Sequence, residues 1–191
     1  MNRITCLIAL GALMLSPCVA VAQEQAPAGA QPAVKNQFND PAMSFTAPSD
    51  YIQIGVPPHS PTDFTESAVV AGFVKNPGKQ SQHTISISME DFPQDLDGFE
   101  MVSENELRNQ ADGVFVKKKI RTTLSNGMPA YWLEISVGSG FDEVKRYQYV
   151  WVDGVRGVTL AIWGQYGELD EATAKRDLAN ASAVLFPKYR S

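Results

Sequence analysis

The side chains with the most chemistry to offer in this sequence are two histidines, 21 acids and a small basic and aromatic set. His59 and His83 would need Asp63, Glu90 or Asp91 beside them to hold a metal. His59 and Asp63 stand four apart, but in the proline-rich loop "VPPHSPTD", and the others show no close ligand spacing. Each histidine is expected at the surface, and no metal or cofactor is expected. A serine nucleophile would need a strained strand-to-helix turn of the G-x-S-x-G kind. The chain has none, and Gly138-Ser139-Gly140 reads as a hairpin loop. The acids of "MEDFPQDLDGFE" (residues 89–100) lack the alternating order and closing glutamate of a calcium loop, so they read as a solvated acidic stretch. No glycine-rich loop precedes a helix in the way a phosphate cradle requires. Catalysis would then fall to paired carboxylates, Asp91 or Asp95 with Glu134, as acid and base of a hydrolase.

The remaining candidates are Lys117, Lys119, Arg121, Trp132, Gln148 and Trp163, all in the β-rich region that begins near residue 114. Turn signals at Asn126-Gly127, Gly138-Ser139-Gly140 and Asp153-Gly154 divide it into four strands, roughly 114–124, 129–137, 143–152 and 155–165. If Asn126-Gly127 and Asp153-Gly154 are two-residue turns and 138–142 a five-residue loop, register follows. Leu133 then lies opposite Tyr147, Tyr131 opposite Tyr149, and both tyrosines share an apolar face with Val158, Leu160 and Ile162. The other face collects Lys117, Lys119, Arg121, Trp132, Glu134, Ser136, Arg146, Gln148, Thr159, Ala161 and Trp163. On it Lys119, Glu134 and Arg146 form a ladder of opposite charges, and Arg121 stacks on Trp132. A polar, partly basic face with two tryptophans suits a carbohydrate, a lipid headgroup or a protein partner. It equally suits a surface that a helix covers.

Upstream, "MSFTA", "YIQIGV", "SAVVAGFV" and "HTISISM" are short β-prone runs. In the last, Ile85, Ile87 and Met89 alternate with Ser86 and Ser88. Ser103 with Glu106 fits a capping box, and Met101 and Leu107 suit a short helix ending before Gly113. A second helix is expected from an Asp170 cap, with Ala174, Leu178, Ala181 and Leu185 as its apolar stripe and Pro187 as its stop. The fold class expected is α+β: an antiparallel sheet ending in a four-stranded meander, with helices packed on it as an α/β/α sandwich.

Residues 1–22 read as a cleaved export signal: Arg3, an apolar run from Cys6 to Leu15, and Ala20-Val21-Ala22 before the cut. Acylation at Cys18 is disfavoured by Pro17. Residues 23–36 form an Ala/Gln/Pro-rich lead-in, and 37–191 one α+β domain. Both cysteines leave with the signal, which removes thiol chemistry and disulfides. The net charge of −5 argues against nucleic acid as a partner, and nothing after residue 22 is apolar for long enough to cross a membrane.

The stretch "FNDPAMSFTAPSDYIQI" (residues 38–54) resembles the opening strand pair of the PsbP-like and DcrB-like proteins, and strands, helix, meander and C-terminal helix then follow in the same order. The resemblance runs over about residues 38–187, with Tyr51 departing from that opening pattern. It implies a small α/β/α sandwich with its second sheet face covered by helix. Members include extrinsic proteins of the photosynthetic oxygen-evolving complex, exported bacterial proteins of unknown role and secretion adaptors, with no shared catalytic motif. The function expected is that of an exported, periplasmic or secreted, non-enzymatic binding or adaptor protein for an unknown protein or envelope component. The alternatives are the paired-carboxylate hydrolase and a structural domain that self-associates through an open sheet edge.

Overall fold

The structure, a computed structural model, describes residues 36–40, 43–56, 67–92, 95–110, 113–138, 143–165 and 167–183. The proposed signal, nearly all of the lead-in, His59, Asp63, Leu185 and Pro187 lie outside them.

The chain begins with β1 (Gln37–Asp40), β2 (Met43–Thr46), β3 (Ile52–Ile54), β4 (Ala68–Lys75) and β5 (His83–Asp91). Helix α1 (Leu96–Gln110) follows, then the meander β6 (Val114–Thr123), β7 (Pro129–Val137), β8 (Val144–Val152) and β9 (Arg156–Gln165). Helix α2 (Glu171–Leu178) and β10 (Ala181–Ala183) complete the described chain. Seven strands form one antiparallel sheet in the order β3-β4-β5-β9-β8-β7-β6, and β1-β2-β10 form a small second sheet. Helix α1 therefore carries the chain from β5 to the far edge, and the meander returns until β9 pairs with β5. The result is the expected α+β class, with α1 on one face of the large sheet and the small sheet and α2 on the other.

Alternation gives each face its own core. Towards α2 lie Ile85, Ile87, Met89, Trp132, Tyr147, Trp151, Val158, Leu160 and Ile162, packed with Phe45, Tyr51, Ala174 and Leu178. Towards α1 lie Leu133, Ile135 and Val150, closed by Phe99, Leu107 and Phe92.

Register departs from the sequence expectation, and loop length is the reason. Only Gly127 takes positive φ (86°) in its turn, and Leu124 N–H donates to Met128 O. The loop is thus Ser125-Asn126-Gly127, three residues with a left-handed glycine at the end. Thr123 faces Pro129, and Arg121 faces Tyr131 rather than Trp132. The next loop holds six residues, so Val137 faces Val144, Trp132 faces Tyr149 and Leu133 faces Gln148. Each one-residue slip reverses a strand's faces. At the last hairpin the turn is Gly154-Val155 and Tyr147 faces Ile162, a two-residue shift that preserves the faces. The tyrosines 147 and 149 do share the core face; Tyr131 does not.

Both helices also differ at their ends. Asp95, not Ser103, caps α1, accepting from Gly98 N–H at 2.8 Å, and Ser103 is buried within the helix. Asp170 caps α2 as expected, accepting from Thr173 N–H at 2.7 Å. That helix stops at Leu178, because Ala181 pairs with Phe45 of β2 instead of extending the stripe.

Candidate functional site

Helix α1 crosses the sheet over β6, β7 and β8, where the floor is apolar, and leaves the β9–β5 side with a polar floor. There Thr84, Ser86, Ser88 and Glu90 of β5 lie level with Trp163, Ala161, Thr159 and Gly157 of β9. Arg146 and Gln148 of β8 complete the rows beside Trp163 and Ala161. The helix presents Ser103, Glu106 and Leu107, spaced at i, i+3 and i+4, as the opposing wall. Between wall and floor is a small half-open cleft of about 50 Å³, lined by Ser67, Ser88, Glu90, Ser103, Glu106, Leu107, Arg146 and Thr159.

Arg146 dominates its electrostatics. Its guanidinium carbon lies 5.4 Å from the Trp163 ring centroid, and its Nε–H donates to Gln148 Oε1 at 2.7 Å. Among the described residues no carboxylate pairs with it. Desolvation pulls its pKa down to about 10, so it stays charged at neutral pH. Gln148 is fully buried, and its Nε2 has no hydrogen-bond partner. Arg146 thus lines the cleft, and Gln148 lies buried directly behind it.

The six residues proposed from sequence are divided by the structure. Trp132 is 2% exposed on the α2 face, stacked with Tyr147 at 5.7 Å and under Lys175 Nζ at 5.6 Å. It cannot share an open face with Trp163, and the register slip at Asn126-Gly127 explains the difference. Trp163 and Gln148 do lie together on the α1 face. Lys119 is on that face too, but at the far edge strand, donating to Glu100 at 2.9 Å and Glu104 at 3.2 Å. Arg121 is largely exposed, 3.8 Å from Asp97. Lys117 sits at the bulge of β6, its Nζ 5.4 Å from the Phe115 ring. The Lys119–Glu134–Arg146 ladder does not form: Glu134 faces Lys118 and Tyr147 on the opposite side.

The carboxylates named for a hydrolase do not converge. Asp95 caps α1 on one face while Glu134 lies on the other. Asp91, at the end of β5, is six residues along from the row of Glu134, about 20 Å at strand rise. Glu100 and Glu104 do meet, at Lys119. Burial raises the Glu100 carboxyl against the pull of Lys119, and Arg108 lowers that of Glu104. Both acids are committed to these cations. His83 is buried rather than at the surface, its Nε2–H donating to Glu168 O at 3.0 Å. Among the described residues no three acids or histidines gather to hold a metal, and no helix is long and apolar enough to cross a membrane.

Arg146 was legible on one face with Gln148, Thr159 and Trp163, but as a rung of a charge ladder that does not form. Ser86 and Ser88, alternating with core residues, were the stronger signal, since small hydroxyls on a covered face leave room above them.

No family model matches the chain, and no curated protein matches it. Among solved structures it is similar to LpqN, a protein involved in cell envelope biogenesis of Mycobacterium tuberculosis. The TM-score is 0.52 at 18% identity, over 76% of this chain and 86% of that one. Lower scores relate it to a protein from Bacteroides thetaiotaomicron (0.43; 12% identity; 78% and 48% covered). PA94 from Pseudomonas aeruginosa, a protein of unknown function, scores 0.38 (10% identity; 70% and 84% covered). What the chain has in common with LpqN is its fold.

Proposed function

We propose that this chain is an exported, envelope-associated protein that acts by binding, without catalysis, and that the cleft under α1 is its ligand seat. The observation that carries the reading is Arg146, lining a cleft with no described carboxylate paired to it, beside a buried Gln148 whose Nε2 has no acceptor. Buried polar groups are usually satisfied, so the unmet Gln148 amide beside Arg146 supports a place for another molecule. The export signal read in residues 1–22 and the likeness in fold to a protein of cell envelope biogenesis support the compartment. The order of elements supports the kinship with PsbP-like and DcrB-like proteins, among which adaptors occur.

Trp163 is a built-in reporter, since Trp132 and Trp151 are buried and Trp163 is not. Protein expressed with its own N-terminal segment and purified from the export compartment is titrated with fractionated envelope glycans, lipids and peptides. A saturable change in tryptophan emission that vanishes in Trp163→Phe is expected. Silence with every fraction would sink the binding reading, and release of cleaved product would sink the non-catalytic one. Mass spectrometry of the same material tests cleavage after Ala22.

A further inference from the structure

The described arginines sort into two kinds. Arg108, Arg121, Arg156 and Arg176 each pair with a carboxylate. Arg146 alone has none, although it lies half-buried between α1 and the sheet, where desolvation lowers its pKa. Its Nε–H is satisfied by Gln148 Oε1, which turns Gln148 Nε2 away from the guanidinium. Both hydrogens of that buried amide then lack acceptors, and the Nη groups of the half-buried Arg146 meet no side-chain acceptor among the described residues. Hydroxyls of Ser88, Ser103 and Thr159 line the same cleft and can donate as well. A half-buried guanidinium that no carboxylate engages keeps its N–H groups available to an acceptor from outside.

We infer that the Arg146–Gln148 end of the cleft is an oxyanion seat, taking the phosphate or carboxylate of a small molecule or headgroup. The inference rests on the binding reading above and adds the chemistry of the ligand. A planar guanidinium whose carbon lies 5.4 Å from the Trp163 ring centroid offers the N–H pair that a two-oxygen acceptor matches. Glu90 and Glu106 line the same cleft, and their charge turns away polyanions. The occupant is therefore compact, with one anionic group and hydroxyls or an ammonium to meet Glu106.

The test titrates the full chain with inorganic phosphate, acetate and phosphoethanolamine, and with vesicles of phosphatidylethanolamine in phosphatidylcholine, reading Trp163 emission and melting temperature. Arg146→Met and Arg146→Lys are the variants. Wild type should saturate with oxyanions and melt higher in their presence. Arg146→Met should bind about tenfold more weakly or worse while melting no lower than wild type, because it removes an uncompensated charge and keeps the bulk. Arg146→Lys, with charge but no fork, should fall between them. Response to phosphoethanolamine but not to vesicles assigns a soluble ligand; response to both assigns a headgroup. Oxyanion binding unchanged in Arg146→Met overturns the inference. So does a neutral envelope fraction that saturates Trp163 when no oxyanion does, although the binding reading then stands. Silence with both kinds of compound removes the two together.

Discussion

Arg156 and Arg146 are ten residues apart on neighbouring strands, and the difference between them is one of company. The Arg156 side chain is 9% exposed; its Nε donates to Asp153 at 2.9 Å and its Nη atoms to Asp40 at 2.7 and 3.2 Å. Asp153 also accepts from the N–H groups of Val155 and Arg156, so one carboxylate shapes the β8–β9 turn and holds the cation that ties β1 to it. Such an arrangement is structural, and its removal leaves Asp153 buried without its counter-charge. Arg156→Met should therefore lower stability by about 3 kcal/mol, read as a fall in urea midpoint at unchanged slope. The same substitution at Arg146 should leave the midpoint unchanged or higher. If both variants lose stability alike, Arg146 is a structural residue as well, and the cleft loses its anchor.

At the scale of elements, the cleft exists because α1 docks over β8 at one fixed height. Phe99, 1% exposed, lies directly on Gly157 of β9, where a Cβ would fall within the ring. Gly157→Ala must lift the helix or turn the ring, and should cost about 2 kcal/mol, as overpacking of a filled core does. Because the same helix carries Ser103 and Glu106, this variant should also weaken ligand response at Trp163, although residue 157 does not line the cleft. Unaltered unfolding midpoint and unaltered binding would show the contact to be soft. These elements were largely legible in sequence: alternation in "HTISISM" and the glycine-bearing turns placed the strands of the sheet. What was not legible was the length of each turn. Asn126-Gly127 announces a reversal without saying whether two residues or three make it, and that single residue moved Trp132 from a proposed binding face into the core. Nor does local periodicity show that Ala181 will pair with Phe45, a contact across most of the domain that ends α2 early.

For the whole molecule, the large sheet ends in two strands that discourage self-association. β3 is three residues long, and β6 is bulged and carries Lys117, Lys118, Lys119 and Arg121 along its open edge. The stability of such a molecule at high pH depends on what it has buried, and it has buried tyrosines. Burial, helped by nearby acids including Glu134 and Glu171, pushes the Tyr147 phenol up to about 12. Tyr51, whose hydroxyl donates to the buried Asp177 at 2.8 Å, is raised further, and burial raises Tyr149 as well. In the unfolded chain each titrates near 10. The native state therefore holds protons that the unfolded chain releases as pH rises past that value. Their contribution is complete below pH 10 and is lost progressively towards pH 12, at about 1.4 kcal/mol per pH unit for each tyrosine. Over that interval Tyr147 alone accounts for roughly 2–3 kcal/mol. Urea midpoints measured from pH 9 to beyond 11 should fall along this curve, in step with the appearance of phenolate absorbance on unfolding. Tyr147→Phe should flatten the fall by its own share while leaving the general repulsion of an acidic chain in place. A midpoint that holds steady through that range in the wild type would mean these phenols reach water in the folded protein, and that the core beneath α2 is looser than its packing shows.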